Sequence, residues 1–123
     1  MIQPGSIVSI ADNSGAKIGR VFKVLGHAAK RYAYLGDTVI LSVQKAEPRK
    51  QTKKKDIHKA VVVRARQAFR RKDGSYVRFD ENAVVLIDKT KGEPIAGRIF
   101  GPIPREIQER GYQTIASKAQ EIV

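Results

Sequence analysis

Two apolar runs, Ala60-Val61-Val62-Val63 and Ala83-Val84-Val85-Leu86-Ile87, stand on either side of an Asp73-Gly74 turn, and neither is longer than a strand. Short runs rich in β-branched residues and bounded by turn formers fit buried strands. No stretch approaches the roughly 18 to 20 apolar residues of a membrane span. This pattern, repeated along most of the 123 residues, constrains the chain to a small β protein.

The first half reads as strand, turn, strand. Ile7-Val8-Ser9-Ile10 runs into Asp12-Asn13-Ser14-Gly15, where Asx side chains bond the local backbone and Gly admits positive φ. Arg20 to Leu25 predicts a second strand, closed by Gly26, and Thr38 to Val43 a third, apolar enough to be buried on both faces. His58 to Arg66 predicts a fourth, in which period-two alternation sets Arg64 and Arg66 on one face. Arg70 to Ser75 reads as a hairpin tip around Asp73-Gly74, Tyr76 to Phe79 as its return, and Ala83 to Ile87 as another buried strand. Six or so short strands suggest a closed or nearly closed barrel, because closure removes exposed edges. The last fifth differs: Arg105 to Arg110 predicts a short helix ended by Gly111, and Tyr112 to Val123 a second, amphipathic one. With no repeat or low-complexity linker, residues 1–123 read as one domain, barrel to about 100 and helical extension from about 101.

Charge is the second constraint. The net +12 is concentrated: residues 45 to 72 hold twelve Lys/Arg against Glu47 and Asp56, while residues 73 to 123 are close to neutral. Like charges at this density repel one another, and a phosphate backbone relieves that repulsion while releasing counterions. The stretch lacks the Trp/Phe/Leu face of an interfacial helix, so nucleic acid fits better than a membrane. The start, Met1-Ile2-Gln3-Pro4-Gly5, has neither signal-peptide nor transit-peptide character, and the absence of Cys suits a reducing compartment, here the cytoplasm.

Catalytic patterns are not found. His27 and His58 without Cys make a poor transition-metal set, so neither a metal nor any other cofactor is expected. Neither a Gly-x-Gly-x-x-Gly nor a Walker A pattern occurs, and Asp80-Glu81 are adjacent acids on a turn rather than a pair facing one substrate. The expectation is a non-enzyme. A free-standing barrel that binds single-stranded nucleic acid is the rival reading, and would need several exposed aromatics on one face.

Specific segments sharpen this. Ala11-Asp12-Asn13-Ser14-Gly15-Ala16, Lys23-Val24-Leu25-Gly26, Glu47-Pro48-Arg49, Lys59-Ala60-Val61-Val62-Val63-Arg64, Asp73 to Ile87 and Arg98-Ile99-Phe100-Gly101-Pro102 together resemble the bacterial-type large-subunit ribosomal protein L-fourteen family over essentially the whole chain. The stretch Gly26 to Lys30 and Lys55, which stands where a Gly is usual, depart from that pattern. The resemblance implies a mainly β fold: a small five-stranded β-barrel, a projecting β-ribbon and two short C-terminal helices. It also implies a place in the large ribosomal subunit, binding large-subunit rRNA and reaching small-subunit rRNA at intersubunit bridges. Implied protein partners are the neighbouring ribosomal proteins L-three and L-nineteen and a ribosome-silencing factor.

Two groups of residues are the expected contacts. Arg31, Arg49, Lys50, Lys53, Lys54, Lys55, Lys59, Arg64, Arg66, Arg70, Arg71, Lys72 and Arg78 are expected on RNA, where Arg suits bidentate phosphate contact and Lys a diffuse field. Gly97, Arg98, Phe100, Pro102, Arg105 and Lys118 are expected at a subunit or protein interface, as the resemblance implies. Tyr32, Tyr34 and Tyr76 are candidates for stacking on unpaired bases.

Overall fold

A computed structural model describes residues 2–26, 31–48, 53–90 and 92–123. Five strands close a barrel: β1 (Ile7–Ile10), β2 (Ala16–Val24), β3 (Thr38–Ala46), β4 (Ile57–Arg64) and, after a two-stranded ribbon of β5 (Phe69–Arg70) and β6 (Tyr76–Val77), β7 (Ala83–Ile87). Neighbours around the ring are antiparallel except β1 and β7, which pair parallel through Ser9 with Ala83 and Ile10 with Val84 and complete the closure. The chain then continues through β8 (Ile99–Ile103), α1 (Arg105–Glu109), α2 (Gln113–Lys118) and β9 (Ala119–Ile122).

Two apolar cores explain the sequence pattern. Val8, Ile10, Val21, Val39, Leu41, Val43, Val62, Val84 and Leu86 fill the barrel. Val61, Val63, Val85 and Ile87, on the outside of β4 and β7, pack under Ile99, Ile103, Ile107 and Ile115 from the C-terminal elements. The second half of β4, from Ala60, and all of β7 are therefore covered on both faces, and their apolar runs are unbroken instead of alternating. The same reading fails for β3. Its inward residues Val39, Leu41 and Val43 are buried, but Thr38, Ile40 and Ser42 face out and are only half-buried, because among the described residues no element folds over that wall.

The C-terminus also departs from expectation. Instead of one helix from Tyr112, α2 stops at Lys118 and the chain extends as β9, parallel to β8. The Val123 amide donates to the Ile103 carbonyl at 3.0 Å, and the Arg105 amide to the Val123 carbonyl at 3.0 Å. Extended backbone thus satisfies the donors and acceptors of β8, and one more helical turn could not. Strand boundaries shift as well: β2 begins at Ala16, and β4 ends at Arg64, short of Arg66.

Candidate nucleic-acid interface

The strand that opens the basic region ends in a bulge. β4 and β7 slip register between Val62 and Arg64, which turns Arg64 inward, and its residue is 7% exposed. Its Nη1 donates to the carbonyls of Phe100 at 2.8 Å and Pro102 at 3.0 Å, and Nη2 meets Glu81 Oε1 at 3.1 Å. Those carbonyls lie where the β8–β9 ladder itself slips, between Ile99 and Pro102. Arg64 thus supplies donors where the ladder is interrupted. Gly101 completes the arrangement, since at φ +81° a Cβ there would sit 2.6 Å from Arg64 Nη1. Two expectations are corrected: Arg64 and Arg66 do not share a face, and the Arg64 guanidinium is engaged inside the protein instead of open to phosphate. Arg66 is exposed, with its amide held by Asn82 Oδ1 at 2.9 Å.

The ribbon forms as the Asp-Gly signal predicts. Gly74 takes φ +92°, and Asp73 Oδ1 accepts from the Ser75 amide at 3.0 Å and hydroxyl at 2.6 Å. Those bonds from Ser75 hold the Asp73 carboxyl below its ordinary range. Arg70 and Lys72 are exposed, whereas Arg71 is not free. Arg71 makes a bidentate pair with Glu106 of α1, at 2.9 and 3.0 Å, and donates to the Val123 carbonyl at 2.8 Å. The expectation of a phosphate-facing Arg71 is corrected accordingly: a planar fork matched to a carboxylate latches the ribbon to the C-terminal elements. The cleft beside it, about 570 Å³, is lined by Arg70, Lys72 and Arg105 together with Glu106 and Glu109.

The remaining cations of the stretch lie elsewhere. Lys53, Lys54 and Lys55 are exposed on the turn entering β4, where Asp56 Oδ2 accepts from the Lys53 amide at 2.9 Å. Lys55 adopts φ +72°, a left-handed conformation that favours Gly. This turn and the ribbon are attached to opposite ends of β4, roughly 23 Å apart at ~3.3 Å per residue. A charge excess contiguous in sequence is therefore divided between two poles of the barrel. Lys59 is half-buried within β4, while Arg31 and Arg78 are exposed. Arg49, Lys50 and the altered stretch 27–30 lie outside the described residues. Of the tyrosines, Tyr76 and Tyr34 are largely exposed and Tyr32 is half-buried.

The second expected surface centres on residues 97–100. Ile99 is fully buried while Gly97, Arg98 and Phe100 are exposed, so alternation seals the core with one residue and presents its neighbours. The β1–β2 turn grips this segment: the Asn13 amide donates to the Arg98 carbonyl at 3.1 Å, and the Arg98 amide to Asn13 Oδ1 at 3.2 Å. Asp12 fixes the turn from inside. Its carboxylate accepts from the Ser14 amide and hydroxyl and from the Leu86 amide at 3.1 Å, while burial raises its pKa above the ordinary value. Ile99 pairs with Ala119, the residue that follows Lys118 at the end of α2, and Pro102 is half-buried further along β8. Arg105 is exposed at the start of α1 and also lines the cleft beside the ribbon. Sequence reading missed the Asn13 and Asp12 clamp, because a local turn motif does not reveal the strand it will grip.

Exposed cations at two poles of a closed barrel define a small basic β-barrel of the class that sits against a polyanion. The chain belongs to the Ribosomal protein L14p/L23e family, whose family model matches residues 1–123. It is 52% identical over 122 residues to the "Large ribosomal subunit protein uL14" of Petrotoga mobilis (strain DSM 10674 / SJ95), covering 99% of each chain. It is thus a structural constituent of the large ribosomal subunit, cytoplasmic in the ribosome and associated there with rRNA and other ribosomal proteins. The family is a structural, non-enzymatic kind of protein.

Proposed function

We propose that the chain, acting as a single non-catalytic domain, binds large-subunit rRNA directly through its two cationic poles. Arg66, Arg70 and Lys72 contact phosphates at the ribbon end, and Lys53, Lys54 and Lys55 do so at the other, with Arg31 and Arg78 as further contacts. The observation that carries this reading is that these side chains are exposed at both ends of β4, while the arginines needed to hold the fold are turned inward. RNA shape, more than base edges, selects the site, since folded RNA exposes few readable edges.

In the same reading the edge formed by Gly97, Arg98, Phe100 and Lys118 faces the other subunit and contributes to bridges with small-subunit rRNA. The ribosome-silencing factor uses this edge, and the L-three and L-nineteen proteins are its neighbours in the subunit. Support comes from the clamp on residues 98–100, which holds the Arg98 backbone rigidly at an exposed position. Arg98→Glu is expected to impair subunit joining or silencing-factor binding while large subunits still assemble. Normal joining together with normal binding would count against the assignment.

A further inference from the structure

The wall of the barrel left uncovered by the C-terminal elements is not an ordinary polar surface. Sheet register sets Ile7, Arg20, Ser42 and Ile57 in one lateral row across β1 to β4, and Lys23, Ile40 and Lys59 in the next. Side chains in such rows share a face, and here it is the outer one, since Val21, Val39 and Leu41 point inward and are fully buried. Between the rows β2 carries a bulge after Val21, so Phe22 and Lys23 both face out before Val24 returns to the core. Ile7, Phe22 and Ile57 remain 52%, 48% and 53% exposed. An outward sheet face is normally polar, and Phe22 stands on this one as a half-exposed aromatic ring between the cations Arg20 and Lys23, with Ile7 and Ile57 at the two ends of the row.

The chemistry of the wall selects its occupant. Arg20, Lys23 and Lys59 are interleaved with the apolar side chains, and neither row contains an acid. Acids on its borders are already engaged: Glu47 with Lys17 at 3.7 Å, Glu81 with Ser9 and Arg64, and Asp56 with the Lys53 amide. An aromatic ring flanked in the chain by two cations is what an unpaired nucleotide requires, a π-face for the base and positive charge for the phosphates on either side. We infer that this outer wall is a third RNA contact, separate from both poles, where Phe22 stacks on an unpaired rRNA base and Arg20 and Lys23 hold the adjoining phosphates. The inference rests on the proposed RNA binding but adds a site that the charged stretch 45–72 does not contain.

The test uses the full chain and deproteinised large-subunit rRNA, with binding measured across a salt series. Phe22→Ala is expected to weaken binding at least about fivefold with an unchanged salt slope. Arg20→Gln with Lys23→Gln should lower the slope by about 1.4, at ~0.7 per charge on a single strand. All three side chains face solvent, so thermal melts of the variants should match the parent, and the charge pair stands as a test even where Phe22→Ala folds poorly. Arg70→Gln with Lys72→Gln is measured alongside. If that ribbon pair lowers the slope while the wall variants change nothing, the wall site is refuted and the RNA reading survives; if no variant changes binding, both fall. Unchanged RNA binding combined with loss of subunit incorporation would mean that a protein covers the wall, which also overturns the inference.

Discussion

Arg64→Met separates a structural arginine from an RNA-binding one. The substitution keeps an unbranched stem in the pocket and removes the guanidinium that donates to the Phe100 and Pro102 carbonyls. Each of these part-buried acceptors left without a partner costs up to about 1–3 kcal/mol. The Glu81 pair adds at most ~1 kcal/mol, because the Glu81 side chain is 50% exposed and its loss is screened by water. The expected loss is about 2–7 kcal/mol, with Tm falling by roughly 3–5 °C per kcal/mol for a chain this size. Urea and thermal melts of the free protein read it directly, with Glu81→Gln as the control expected to lose no more than ~1 kcal/mol. Salt-dependent rRNA binding, measured where the variant is folded, should keep the parental slope. A loss under ~1 kcal/mol together with a slope reduced by one charge would show that Arg64 faces RNA, and would refute the clamp.

Two further outcomes follow from local geometry. Lys55→Gly should stabilise the protein by about 0.5–1 kcal/mol: the left-handed backbone costs a non-Gly residue ~1–2 kcal/mol, and the greater freedom of Gly in the unfolded chain offsets part of that gain. A lower Tm for Lys55→Gly would contradict the strain at φ +72°. Asp12 and Asp73 should act oppositely on acid stability. The raised pKa of Asp12 means that the fold prefers its protonated form, so its contribution is present below 3.8 and lost as pH rises through the raised value. Asp73, whose pKa is lowered, contributes above 3.8 and is lost as pH falls through its lowered value. Urea melts across the acid range should therefore show the parent losing stability with rising pH just above 3.8 relative to Asp12→Asn; parallel profiles for the two would contradict this.

Much of the architecture was legible because it rests on local signals. The unbroken apolar runs of β4 and β7 read as buried strands, and Asp73-Gly74 announced the ribbon turn. What stayed hidden depended on partners distant in sequence. Thr38 to Val43 looked as apolar as β4, yet only the C-terminal elements decide which wall is covered, and they cover β4 and β7. Arg64 and Arg71 look like any other member of the charged stretch; the carbonyls that Arg64 reaches and the carboxylate that Arg71 reaches on α1 lie 35 or more residues away. The division of the charge into two poles was likewise invisible, since it follows from the length of β4 between them. On the outer wall, the bulge at Phe22 breaks the alternation that would have flagged an exposed aromatic beside two cations.

The salt dependence of rRNA binding, with charges removed at one pole and then the other, tests the central claim most directly. Lys53→Gln with Lys54→Gln, and Arg70→Gln with Lys72→Gln, should each lower the slope by about 1.4–1.8, and the four together should lower it by the sum. Parental slopes in both pairs, or a full loss from one pole with no contribution from the other, would contradict a protein held to RNA at two ends of its barrel.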